Sequence, residues 1–176
     1  MWSRKAPEGS PDIKELSKYM YITKTLDRIK EWERQDILEK EYIFANGEKL
    51  LGFNGAFKKL ENRINKLVET SQNYYSIIHG DICFSNVIYF PETNTFKFID
   101  PRGNFGVDTI YGDSRYDVAK TRHNYHGLYD YITLDMFKLK EKAPDDFEYS
   151  FFTGKMINPI LFDNIVEKYG YNIDDI

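Results

Sequence analysis

Cysteine occurs once in this chain, at Cys83. One thiol cannot form an intrachain disulfide, and no Cys-x-x-Cys pair exists to hold zinc. Long apolar runs are missing, so no membrane-spanning helix is expected. The opening Met1-Trp2-Ser3-Arg4-Lys5 has no apolar stretch behind it, so no signal peptide is read there. Basic runs are absent too. The net charge is -4 with both signs interspersed, which leaves no nucleic-acid footprint. Glycine never falls as G-x-G-x-x-G: Gly47, Gly52 and Gly55 make no phosphate-covering loop, and no V-A-I-K-like strand precedes a helix. A cytoplasmic location is the simplest expectation.

What is present suits a globular core. Hydrophobic residues make up 41% and aromatic residues 16%, mostly Tyr and Phe, and each ring buries a large area. The expected fold class is α+β and mainly helical, with residues 1–11 a flexible N-terminus and residues 12–176 a single domain. Ser10-Pro11-Asp12 predicts a helix start, with Ser10 as N-cap and Pro11 at the first helical position. Ile13, Leu16, Met20, Leu26 and Ile29 follow at helical spacing, and Trp32 and Ile37 extend the face toward Lys40. Asn46-Gly47 predicts a two-residue hairpin turn within 41–50. A helix is expected over 55–70, and a short apolar run over 74–78. Two strands, 87–90 and 95–99, flank the turn Pro91-Glu92-Thr93-Asn94. A helix from Ser114 or Arg115, strand segments at 136–139 and 147–151, and a last helix from Asn158-Pro159 complete the reading.

The chemistry lies in His79-Gly80-Asp81-Ile82-Cys83-Phe84-Ser85-Asn86, followed after the predicted hairpin by Asp100. Phosphoryl transfer from ATP to an alcohol needs a carboxylate to orient the hydroxyl and take its proton. It also needs oxygen ligands for magnesium. The order H-x-D-x-x-x-x-N, hairpin, Asp supplies both: Asp81 as base, Asn86 and Asp100 as metal ligands.

With Gly80 where protein kinases carry Arg, the loop resembles the aminoglycoside phosphotransferase and choline kinase superfamily. Ile99-Asp100-Pro101-Arg102-Gly103 and Gly112-Asp113-Ser114-Arg115-Tyr116-Asp117-Val118-Ala119-Lys120 further resemble phosphotransferase-type proteins of bacterial surface-polysaccharide loci. The resemblance covers roughly residues 12–130. It implies a protein-kinase-like C-terminal lobe with a small β-hairpin at the catalytic site. It also implies ATP and Mg2+ as cofactors, and a small-molecule alcohol as substrate. His79 would pack and hydrogen-bond to shape the loop. Asp117 would accept backbone N–H bonds from it. The family's N-terminal lobe is not seen in this sequence. The isolated chain is therefore expected to be weak or inactive, completed by an N-terminal lobe or a partner chain.

Other residues keep two readings each. Asp113 is a helix cap or a substrate contact. Arg102 meets a phosphate or anionic substrate, or pairs with a local acid. His123, His126 and Asp130 form a metal site or a polar helix end, the latter favoured because no further ligand clusters nearby. Cys83 reads as a small packed side chain. The acidic balance points mildly to a cationic acceptor. The lead expectation is a small-molecule O-phosphotransferase. The alternatives are a non-catalytic kinase-like binding or assembly module, and an α+β interaction domain in which Asp81, Asn86 and Asp100 lie far apart.

Overall fold

The first helix starts at Asp12, not Ser10. Asp12 is extended (φ -63°, ψ 116°), and its carboxylate accepts the Lys14 amide at 2.9 Å. An aspartate brings both an acceptor and a negative charge to a helix N-terminus, and Pro11 then falls outside the helix. The computed structural model describes residues 8–153 and 158–176, so most of the expected flexible N-terminus lies outside the described residues. Its fold is α+β and mainly helical, about 48% helix against 23% strand.

α1 (Ile13–Lys18) passes through a π-helical turn, Tyr19–Thr23, into α2 (Lys24–Lys30). The expected continuous helix to Lys40 is broken after Lys30. The Gln35 side-chain amide donates to the carbonyls of Ile29 (3.1 Å), Lys30 (3.3 Å) and Trp32 (2.6 Å). That satisfies orphan carbonyls of the helix end and turns the chain. Trp32 is 44% exposed, off the core face. A single turn, α3 (Gln35–Leu38), follows and buries Leu38.

β1 (Tyr42–Ala45) and β2 (Glu48–Leu51) form the hairpin at Asn46-Gly47. Both turn residues have positive φ, 53° and 83°, as a type I′ turn demands. After α4 (Phe53–Thr70), β3 (Tyr75–Ile77) leads into the His79 loop. β4 (Val87–Phe90) and β5 (Thr95–Phe98) leave that loop as an antiparallel pair. β6 (Tyr111–Asp113) pairs with β3 and delivers the chain into α5 (Ser114–Gly127). Then come α6 (Tyr129–Thr133), β7 (Phe137–Ala143), β8 (Asp146–Phe151) and α7 (Pro159–Lys168).

β8 runs parallel to β1, which joins two hairpins into one four-stranded sheet of order β2-β1-β8-β7. Asn46 extends that join: its amide donates to the Tyr149 carbonyl at 3.0 Å and its oxygen accepts the Tyr149 amide at 2.8 Å. Arg34 ties the sheet to α3 through Glu141 and Asp36, each at 2.9 Å.

The core that carries the site is a cluster of Ile13, Leu16, Met20, Tyr75, Ile78 and Phe105. Phe105 is fully buried although it comes from the polar loop after Asp100. It anchors that loop against α1 and the start of the His79 loop. Among the described residues no helix is long and apolar enough to cross a membrane.

Candidate active site

β3 ends beside β6, and the chain turns out of this ladder at His79. Gly80 takes the turn with φ 80°, which strains any residue with a side chain. A Cβ there would also meet the Arg102 Cβ at 3.0 Å. Arg102 lies across this turn because its amide donates to the His79 carbonyl at 2.8 Å.

The His79 ring stitches the loop to the next segment. Nε2 donates to the Ile99 carbonyl at 2.8 Å, and that tautomer leaves Nδ1 to accept the Asp81 amide at 3.4 Å. The Asn86 side-chain nitrogen donates to the Asp81 carbonyl at 3.0 Å, which fixes the amide and orients its oxygen. The Ile99 amide donates to the Asn86 carbonyl at 3.0 Å, continuing the β4–β5 ladder. Asp100 therefore stands one residue from the partner of Asn86. Its φ is 55°, the left-handed conformation, and its side chain is exposed. Non-glycine residues seldom sit there, and such positions concentrate at functional sites. Asp81, Asn86 and Asp100 are thus brought together by direct bonds between their segments.

Two carboxylates brace the loop from α5 and α6. Asp117, in the first turn of α5, accepts the His79 amide at 2.7 Å and the Gly80 amide at 2.8 Å. Asp130 accepts the Phe84 amide at 2.9 Å. Burial pushes the Asp117 carboxyl above its ordinary value, and the two amides pull it back only in part. A raised folded value means that the folded protein binds the proton more readily than the unfolded chain. As pH rises through the window just above the ordinary carboxylate range, the parent should lose stability relative to Asp117→Asn. The same substitution turns an NH2 group toward a backbone N–H. It should cost on the order of 1–3 kcal/mol at neutral pH, read by urea melts at several pH values. Equal stability at every pH would remove Asp117 as the brace.

The charge around Asp81 is basic. Lys120, one turn beyond Asp117 on α5, places Nζ 3.1 Å from Asp81 Oδ1. Lys24 opens α2 after the π-helical turn and lies within electrostatic reach of Asp81, Arg102 and Lys120. Burial holds its pKa below the ordinary lysine value, and the Arg102 and Arg28 guanidiniums add to this. Arg102 donates to the Tyr116 hydroxyl at 3.3 Å and forms no ion pair among the described residues. The expectation of a cationic acceptor from overall charge is therefore opposed locally.

Asp113 is the cap of α5: it accepts the Arg115 amide at 3.0 Å and is fully buried. It has no surface to offer a substrate. Cys83 is buried, with its sulfur 3.1 Å from the Ser85 hydroxyl. His123, His126 and Asp130 go separate ways. The His123 ring packs on Tyr129 with centroids 4.9 Å apart, His126 lies 3.4 Å from Asp163, and Asp130 serves the loop.

Among the described residues no three His, Cys, Asp or Glu side chains converge as a metal cage. Magnesium needs none, because it keeps waters and phosphate oxygens and takes one or two protein oxygens. The fixed Asn86 amide and the exposed Asp100 carboxylate fit that requirement. The sequence reading singles out neither Lys24 nor Lys120 as functional, and it weighs Asp130 only as a metal ligand or part of a polar helix end, not as the brace of the loop. Lys120 had a signal: three residues after Asp117 on a helix, it shares that residue's face. Against family models, curated proteins and solved structures, the chain matches none.

Proposed function

We propose that this chain is the catalytic lobe of a kinase-like, ATP-dependent small-molecule O-phosphotransferase. The observation that carries the reading is the pair of bonds at Asn86. Its amide is held by the Asp81 carbonyl and its own carbonyl accepts Ile99, so the base and both metal ligands share one frame. Asp81 would orient the acceptor hydroxyl and take its proton. The acceptor oxygen forms a bond to the γ-phosphorus, the bond to the β-bridging oxygen breaks, and ADP leaves with that electron pair. Bound magnesium supplies charge neutralisation of the phosphates, and Asn86 and Asp100 would hold it. Asp117, Asp130 and His79 keep the loop in place, and Arg102 lies where an anion could meet it. A place in the cytoplasm, among enzymes of surface-polysaccharide assembly, fits this chemistry.

A second reading has its own observation. One face of the hairpin beside Asp100 exposes Phe96 (60%), Phe98 (58%) and Tyr89 (49%). An apolar surface at the site suits a covering lobe or partner chain, and a module that only binds such a partner would show the same surface. Calorimetric titration of Mg-ATP into the chain separates the two. Binding that requires magnesium and falls at least about tenfold in Asp100→Asn supports the phosphotransferase reading. Absence of binding at millimolar Mg-ATP favours the non-catalytic module, or a catalytic lobe that takes nucleotide only beneath its covering lobe or partner chain.

A further inference from the structure

The cations around Asp81 outnumber what the loop's architecture uses. Lys120 touches Asp81 at 3.1 Å. Lys24 is half-buried, reaches back to the Met20 sulfur at 3.9 Å, and forms no ion pair among the described residues. Asp81 acts favourably on it, against Arg102, Arg28 and Lys120. Of the other acids near the loop, Asp130 is engaged by the Phe84 amide and Asp117 by the His79 and Gly80 amides. Asp100 is committed to the metal under the reading above. A half-buried ammonium without its own carboxylate is costly to keep unless an anion joins it.

Lys24 also occupies a marked place in the backbone. It follows the π-helical turn Tyr19–Thr23, and its amide makes the wide bond to the Tyr19 carbonyl. Isolated π turns inside helices occur often at functional sites. The turn keeps Met20 in the core, and Lys24 follows it within electrostatic reach of Asp81.

Position assigns these charges to the acceptor. Nucleotide phosphates are met through magnesium at Asn86 and Asp100. Lys120 instead touches Asp81, the residue that meets the acceptor hydroxyl. A cationic alcohol brought to Asp81 would face Lys24, Lys120 and Arg102 together. An anionic one would relieve their mutual repulsion.

We infer that the acceptor is an alcohol bearing its own negative charge, a phosphate or a carboxylate, held by Lys24 and Lys120 beside Asp81. This rests on the phosphotransferase reading, and the experiment keeps the two apart. The 176-residue chain is titrated with glycerol 3-phosphate, glycerate, glycerol and choline, and separately with Mg-ATP. Glycerol 3-phosphate or glycerate should bind at least about tenfold more tightly than glycerol, with choline no tighter than glycerol. Which of the two anions binds better distinguishes phosphate from carboxylate. Lys24→Gln should abolish most of that preference while Mg-ATP affinity holds, and Lys24→Arg should restore it. Preference for choline would overturn the inference and leave Mg-ATP binding, hence the phosphotransferase reading, intact. So would a Lys24→Gln variant that loses Mg-ATP affinity but binds glycerol 3-phosphate as the parent does. Anion binding with no Mg-ATP binding would overturn the acceptor role, because the anion site would then stand without a nucleotide site beside it.

Discussion

Asp81→Asn should slow phosphoryl transfer by about 10²–10⁴-fold while leaving Mg-ATP affinity close to that of the parent. The geometry makes this a clean substitution. The bonds that shape the loop at residue 81 run through its backbone: the amide to His79 Nδ1 and the carbonyl from Asn86. Neither depends on the carboxylate. An asparagine oxygen can still accept Lys120, which stands 3.1 Å from the carboxylate now. What disappears is the capacity to take a proton from the acceptor. The loss should therefore fall on kcat. ADP release with the parent's acceptor, followed beside a nucleotide titration, measures both quantities. Unchanged turnover would sink Asp81 as the base. A loss of nucleotide affinity as large as the loss of rate would reassign it to binding.

The signals that could be read from sequence were local ones. Asn46-Gly47 dictates its own turn because two positive φ values in a row exclude most other pairs. Asn158 caps the last helix through the Ile160 amide, two residues away. The His79–Asn86 motif was legible for a related reason, since its residues fall in a fixed order over one short stretch. The misses share a physical cause: each depends on a partner far along the chain, or on a side chain with several uses. The parallel register of Phe44 with Asp146 has no local signature, so the sheet that unites β1 and β8 could not be foreseen. Phe105 sits in a polar, glycine-containing loop, yet it is fully buried under α1. Gln35 looks like one more polar residue of a long helix and instead ends that helix with its amide. Lys24 looks like one more charged residue of the first helix until the fold brings it within electrostatic reach of Asp81, which Lys120 contacts.

The largest effect on stability is expected at a residue that touches no substrate. Asp113 and Arg115 form a buried ion pair, 0% and 3% exposed, with the guanidinium 2.6 Å from Asp113 Oδ2. Arg115 also donates to the Leu67 carbonyl at 2.6 Å and the Thr70 hydroxyl at 2.9 Å, and lies over the Tyr74 ring at 4.2 Å. The pair thus fastens the end of β6 and the start of α5 to the end of α4. Asp113→Ala removes the carboxylate paired with this guanidinium, and the cap of α5 with it. The cost should be about 3–5 kcal/mol, because a charge is left buried and unpaired. Folded domains hold only about 5–15 kcal/mol in all, so the variant should melt far below the parent. Replacing both partners by apolar residues, Asp113→Leu with Arg115→Met, should recover part of the loss. Recovery will be incomplete, since the Leu67 carbonyl and the Thr70 hydroxyl lose their donor. Urea melts of the parent, the single and the double variant decide it; a single variant within about 0.5 kcal/mol of the parent would refute the role assigned to the pair. The consequence reaches the site. β6 holds β3 in register from Tyr75 to Ile77, and the next residue but one is His79. A loosened β6 should therefore weaken Mg-ATP binding at temperatures below the melt, through a loop that the substitution never contacts.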